Sequence, residues 1–209
     1  MEAVQKLSDL ITGFLGHIDF NNKAFQKAIF FIIFNPLYWN FGARLEHKTK
    51  FLSKLAFGSK KSAVYIFSAT VFSLGIMRDN IYRDAILEQA TSPFLDTPFF
   101  KGLGIACFGF GSVLVASSMY KLGIVGTYLG DHFGFLKNER ITDFPFNLVD
   151  NPMYDGSSLS FLGAALFFAK PAGLWASGLV YAMYRIVELI EEPFTAKIYA
   201  ERSSEKKAA

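Results

Sequence analysis

Cysteine is almost missing from this chain: Cys107 is the only one in 209 residues, and it lies inside an apolar run. An intramolecular disulfide and a cysteine-ligated metal site are both excluded, and thiols leave no signature of redox compartment. Histidine is scarce as well, with three in the chain, and no zinc-ligand spacing, phosphate-binding loop or Ser/His/Asp pattern occurs. Charge of either sign is thin. The 21 Lys and Arg against 18 Asp and Glu leave a net charge of +3, and the basic residues stand beside apolar runs rather than alternating with exposed aromatics. That pattern excludes a nucleic-acid surface. The N-terminus lacks the basic region, short apolar core and small-residue cleavage site of a signal peptide, so the first apolar segments are expected to be retained. With no internal repeat, low-complexity linker or second soluble unit, residues 1–209 read as a single membrane-embedded domain.

What the chain has instead is hydrocarbon. Hydrophobic residues make up 52% of it, 24 are Phe, and the mean hydropathy is +0.28. These residues concentrate into runs of membrane-spanning length, which a soluble core would break into shorter amphipathic pieces. The fold expected is an all-α integral membrane bundle of about four to five membrane helices, ending in a helical hairpin. Residues 3–18 show helical apolar spacing, which suits an interfacial amphipathic helix or one packed on the bundle. The membrane segments fall at 24–43, 60–78, 102–122 and 158–190. Pro36 makes the first a kinked or re-entrant candidate, and Lys60, Lys61 and Arg78 can snorkel from the ends of the second. Residues 102–122 are dense in Gly, Ala and Ser, which permits close approach of a neighbouring helix or ligand. The last stretch is broken by Lys170-Pro171-Ala172-Gly173, a turn signal. Residues 123–157, rich in Gly, Asp, Asn, Pro and aromatics, form the expected active-site loop.

The 44–61 connection carries Arg44, Lys48, Lys50, Lys54, Lys60 and Lys61 against Glu46, whereas 78–101 mixes both signs. The positive-inside rule places 44–61 in the cytosol, and with it the 123–157 loop and the C-terminus. Lys206-Lys207-Ala208-Ala209 has the form of a dilysine retrieval signal, which is read on cytosolic tails.

Four groups could carry chemistry. Glu191-Glu192-Pro193 is expected to end the last helix, with two carboxylates at the unfavourable end of its dipole. Either a cationic ligand compensates them or Arg185 and Lys197 do. Gly109-Phe110-Gly111 exposes backbone on its helix, for packing or for a ligand. Asn151-Pro152-Met153-Tyr154-Asp155-Gly156 is a polar turn before an apolar helix, whether as a cap or as part of a site. Asp131 and His132, in a glycine-flanked turn, offer an acid and an imidazole, the imidazole being either a general base or a solvated loop histidine.

Taken in order, Phe34-Asn35-Pro36-Leu37-Tyr38-Trp39-Asn40, Gly126-Thr127-Tyr128-Leu129-Gly130-Asp131, Phe144-Pro145-Phe146-Asn147, Asn151-Pro152-Met153-Tyr154 and Glu191-Glu192-Pro193-Phe194-Thr195-Ala196 resemble the phosphatidylethanolamine N-methyltransferase family over about residues 24–200. Ser118-Met119-Tyr120-Lys121 and Lys170-Pro171-Ala172-Gly173 are closer to its small fungal members, which act on phosphatidyl-N-methylethanolamine. The resemblance implies an endoplasmic reticulum enzyme without a metal. It would methylate a phospholipid amine with S-adenosylmethionine, contacting the cofactor through Gly109, Phe110, Gly111, Asn151, Tyr154, Glu191 and Glu192. Asp131, His132, Tyr154, Asp155 and the glutamates are the candidates for handling the acceptor's proton. The Pro152–Tyr154 turn and paired glutamates are also similar to isoprenylcysteine carboxyl methyltransferases, but Asp150 and Asn151 replace their Arg-His pair. A carboxyl methyltransferase and a non-catalytic lipid-binding scaffold are therefore the alternatives. Because the cofactor is charged and cytosolic, residues 151–156 and Glu191-Glu192 must meet on one face. A straight helix over residues 160–190 would be roughly 45 Å long and would separate them, so the Pro171 hairpin is a requirement of the site.

Overall fold

Small polar residues and prolines punctuate the apolar runs, and each long helix starts at one of them. The structure, a computed structural model, describes residues 13–137 and 141–208, with side chains described as far as residue 200. Helix α1 (Lys23–Thr49) is capped by Asn22, whose side chain accepts the Phe25 amide. A short α2 (Phe51–Leu55) leads to α3 (Lys60–Leu87), capped by Ser59. Helix α4 (Pro98–Thr127) begins on a Thr97 cap and a first-turn proline, and a 3₁₀ turn follows at Gly130–Phe133. Helices α5 (Pro152–Phe167) and α6 (Pro171–Ala208) also open on prolines. No strand occurs among the described residues, in line with the all-α expectation.

The five long helices alternate in direction, so their ends gather in two sets. At one end the Asp19 amide donates to Gln89 (2.8 Å) and Asn22 Nδ2 to Glu88 (3.0 Å), joining the start of α1 to the end of α3. The α5–α6 turn docks there too, because Lys170 Nζ donates to the carbonyls of Leu87 (3.2 Å) and Gln89 (2.6 Å). Lys170→Met is expected to leave both carbonyls unpaired and cost about 1–3 kcal/mol, measurable as a lower unfolding midpoint in detergent. The opposite end collects the end of α1, the start of α3, the 3₁₀ turn and the start of α5. Between the ends, Phe25, Ile32, Tyr82, Ile86, Phe161, Ala176 and Val180 form the core shared by α1, α3, α5 and α6.

Helix α4 is the one helix, among the described residues, long and apolar enough to cross a membrane by length and composition. Phe99, Ile105, Phe108, Phe110 and Val113 are exposed along it, an apolar face that hydrocarbon solvates better than water. Its other face packs on α5 at close range, since a Cβ on Gly163 would lie 2.5 Å from the Phe108 nitrogen.

Several expectations are corrected. The hairpin forms at residues 168–170, but Gly173 is not part of the break: it lies inside α6, where a Cβ would come within 2.8 Å of Ala165 Cβ. Glu191-Glu192-Pro193 does not end the last helix, because α6 runs through Pro193 to Ala208. Contacts beyond the proline hold the continuation: Arg44 stacks over Phe194, Thr195 donates to Asp131, and Tyr199 accepts the Lys137 amide. The two carboxylates are therefore not at a helix C-terminus. The 123–157 stretch is not all loop: α4 kinks at Gly123, where the backbone leaves helical geometry as the sequence bound suggested, then resumes to Thr127, and residues 152–156 belong to the start of α5. Helix α1 passes through Pro36 unbroken rather than re-entering. Arg78 does not snorkel from a helix end; α3 continues to Leu87 and buries it. Residues 3–12 of the amphipathic segment and the Lys206-Lys207 side chains lie outside the described residues.

Candidate active site

Helix α6 presents Glu191 one residue beyond the apolar stretch that ends at Ile190, facing α1 and α5. Its Oε1 accepts hydrogen bonds from Trp39 Nε1 (3.0 Å) and Asn40 Nδ2 (2.8 Å), and its Oε2 accepts one from the Tyr154 hydroxyl (2.7 Å). Burial pushes this carboxyl upward, the three donors offset part of the shift, and the net result lies above the usual carboxylate range. The rings extend the arrangement. Tyr154 stacks on Tyr184 at 4.6 Å and on Trp39 at 6.3 Å, so three ring faces adjoin one half-buried carboxylate. A carboxylate beside aromatic faces is a setting that favours a cation.

A cavity of about 370 Å³ opens from this group. Asn151, Tyr154 and Glu191 stand at one part of its lining; Phe67, Val71, Phe72 and Ile76 of α3 and Val115, Met119 and Leu122 of α4 supply apolar walls. Helices α3 and α4 make few contacts with each other, which leaves the cavity open between them. Thr127 also lines it, and the Thr127 Oγ1 is buried without a hydrogen-bond partner. A buried orphan hydroxyl on a cavity wall is a group that a polar ligand would satisfy. The volume falls in the range of small-molecule sites.

The residues singled out in the sequence are distributed as follows. Asn151, Tyr154 and Glu191 line the cavity together. Glu192 is exposed just outside it, accepting from Asn151 Nδ2 at 3.3 Å. Asp131 and His132 form a neighbouring cluster that does not line it. There, His132 is buried, lies 3.1 Å from Asp131 through Nδ1, and stacks on Phe194 at 5.0 Å. Burial would raise the Asp131 carboxyl, but hydrogen bonds and charge from His132, with help from Thr195, hold it below its ordinary value. Such a carboxylate is a weak base. Asp155 is engaged by Arg185 at 2.5 Å. Gly109 and Phe110 are exposed, whereas Gly111 is buried against Gly156 and Ser160 of α5, so this backbone supports the start of α5 rather than lining the cavity. Sequence reasoning named Trp39, Asn40 and Thr127 only within the strings that carry the resemblance, gave none of them a site role, and missed Tyr184. The one available signal was the unusual polar Asn40 beside Trp39 at the end of an apolar run.

The profile of the phospholipid methyltransferase family matches residues 100–202, which include most of α4, the 3₁₀ turn, α5 and Glu191. Over 203 residues the chain is 50% identical to the phosphatidyl-N-methylethanolamine N-methyltransferase of Saccharomyces cerevisiae, spanning 97% of this chain and 98% of that protein. The chain belongs to the phospholipid methyltransferase family. It is 52% identical over 185 residues to the Schizosaccharomyces pombe protein of the same name, with 88% of this chain and 94% of that one covered. The human phosphatidylethanolamine N-methyltransferase is 48% identical over 194 residues, covering 93% and 97%. No solved structure matches. In this phospholipid methyltransferase the stretch before residue 100 supplies Trp39 and Asn40, so the site is completed by helices that the family profile does not reach.

Proposed function

We propose that this protein is a phospholipid N-methyltransferase that uses S-adenosylmethionine to convert phosphatidyl-N-methylethanolamine to the dimethyl lipid and then to phosphatidylcholine. The observation that carries the reading is the Glu191 carboxylate, held by three donors against stacked Trp39, Tyr154 and Tyr184 where an apolar-walled cavity begins. The residues fit a cofactor that is cationic at sulfur and carries hydroxyls and an amine: aromatic faces and carboxylates for the charge, and Asn151 and the unpartnered Thr127 for polar groups. When bound, it supplies an electrophilic methyl group; the acceptor nitrogen forms the new N–C bond as the S–C bond breaks, with that electron pair remaining on sulfur. The chain's own tasks are positioning and proton removal. Glu191, whose proton affinity is raised, is placed to take the proton that the acceptor ammonium must lose, and Tyr154 fixes its second oxygen. Trp39, Tyr154 and Tyr184 exclude water from that carboxylate. Asn151 and Glu192 close the site at the bundle end. Gly111 acts by seating α5.

We read the whole chain as one methyltransferase domain in which α1, α3, α4 and the α5–α6 hairpin all cross the membrane. The basic 44–61 segment supports a cytosolic site and C-terminus, and the endoplasmic reticulum is the membrane that suits such an enzyme. The gap between α3 and α4 would admit the lipid from the side. Relatives of this similarity give no support to carboxyl methylation or a non-catalytic scaffold. The test uses purified protein in vesicles with methyl-labelled S-adenosylmethionine. Label is expected in lipid when either the mono- or the dimethyl acceptor is supplied, together with saturable cofactor binding; no transfer to either acceptor overturns the reading.

A further inference from the structure

Arg78 and Asp79 are adjacent charges of opposite sign more than halfway along α3, a helix of 28 residues. Ionisable side chains in a membrane helix are costly, and they persist where they pair with each other or meet a substrate. Arg78 is well accounted for as packing: its side chain is 9% exposed, its guanidinium lies 4.9 Å over the Phe161 ring, and one of its nitrogens donates to the Tyr184 hydroxyl at 2.7 Å. Asp79 is not. Its side chain is 56% exposed, and it takes Arg78 Nε (3.0 Å) and one terminal nitrogen (2.9 Å) through Oδ1 alone. Asp79 stands where the apolar part of α3 gives way to Asn80, Arg83 and Asp84, and the similar Arg83–Asp84 pair one turn later does not line the cavity. Arg78 and Asp79 both line the same cavity as Tyr154 and Glu191, beside the apolar residues Phe72 and Ile76. Of the five N–H groups that a guanidinium carries, these contacts use three.

We propose that Arg78 and Asp79 form the subsite for a zwitterionic phosphoamine headgroup, with the guanidinium taking the phosphodiester and the Asp79 carboxylate taking the ammonium. The assignment rests on the lipid N-methylation reading given above and specifies where the acceptor sits. An internal ion pair is the complement of a zwitterion: each of its charges can be exchanged for the opposite charge of the ligand, so neither is left unpaired in hydrocarbon. The planar fork of Arg78 suits two phosphate oxygens. Tyr184 links the subsite to the cofactor end, since its hydroxyl accepts from Arg78 while its ring stacks on Tyr154, whose own hydroxyl donates to Glu191. The apolar faces of α3 and α4 then receive the acyl chains, which commits the subsite to a membrane lipid rather than a water-soluble phosphoamine.

The test compares two acceptors in phosphatidylglycerol vesicles, using the full-length protein: phosphatidyl-N-methylethanolamine and N-methylhexadecylamine, which keeps the amine and chain but lacks the phosphodiester. Arg78→Lys is expected to raise the half-saturating level of the phospholipid about tenfold, the size of one lost charge-assisted hydrogen bond, and to leave the simple amine unaffected. Asp79→Asn should weaken both acceptors about tenfold, because both present an ammonium. Neither change should alter the S-adenosylmethionine Kd. The subsite is overturned if Asp79→Asn leaves both acceptors within about twofold of wild type, or if Arg78→Lys weakens the two acceptors equally. Should Arg78→Lys fail to fold, Asp79→Asn, altered at an exposed side chain, decides by itself. A wild-type protein that methylates neither acceptor overturns the parent reading; an active one whose variants behave as wild type overturns only the subsite.

Discussion

Glu191→Ala is expected to lower methyl transfer by two orders of magnitude or more, roughly 3 kcal/mol or above, because it removes one carboxylate and strands three donors together. Trp39 Nε1, Asn40 Nδ2 and the Tyr154 hydroxyl all point at that single group. Without it, α1 and α5 lose their common anchor on α6, so part of the loss would be structural. Glu191→Gln separates the two effects. Its amide oxygen can still accept from Trp39 and Asn40 while its nitrogen faces the Tyr154 oxygen, so the fold and the aromatic stack should survive. It can neither neutralise a cation nor take a proton, so turnover should fall as far as in the alanine variant. Labelled-methyl incorporation at saturating lipid, with an unfolding curve in the same detergent, reads both quantities. A glutamine variant with wild-type kcat would remove Glu191 from the proton path.

The second large effect is expected at Gly111, and its contrast with Gly109 is the informative part. A side chain at Gly111 would run into the Gly156 carbonyl oxygen and lie 2.8 Å from Ser160 Oγ, in the extensive interface between α4 and α5. Overpacking of this kind costs about 1–3 kcal/mol when side chains can yield, and here one obstacle is backbone. Gly111→Val should therefore push the first turns of α5 outward, carrying Asn151 and Tyr154 away from Glu191, with both the unfolding midpoint and the transfer rate falling. A Cβ on Gly109 meets nothing within 4 Å, so Gly109→Ala should be close to neutral in both measurements. Equal sensitivity at the two positions would mean that the pair acts on a ligand directly rather than through α5.

The hairpin was legible because the apolar stretch is too long for one span and proline is favoured at the first position of a helix, which Pro171 takes. The same rule, applied to Asn151-Pro152, would have placed residues 152–156 in a helix instead of a turn. Pro193 misled in the other direction. Proline weakens a helix locally, but whether the helix ends there depends on what the next turn touches, and Phe194, Thr195 and Tyr199 all find partners in segments remote in sequence. Tyr154 and the glutamates could be named from their unusual strings, whereas the partners of Glu191 could not, because nothing in a linear pattern says that Trp39 and Asn40 lie beside it. Arg78 was taken for a boundary residue since charge next to an apolar run usually marks water. The structure buries it against Tyr184 and Phe161 instead.

The bond between Trp39 and Glu191 closes a loop of 152 residues, from the first long helix to the last. Its consequence lies in biogenesis. During synthesis from the N-terminus, Trp39 and Asn40 emerge long before α6 leaves the ribosome, and such long-range closure must await the final segment. The nascent protein therefore carries the apolar cavity walls of α3 and α4 first and its carboxylate last. Any truncation before Glu191 should yield a chain without methyl transfer.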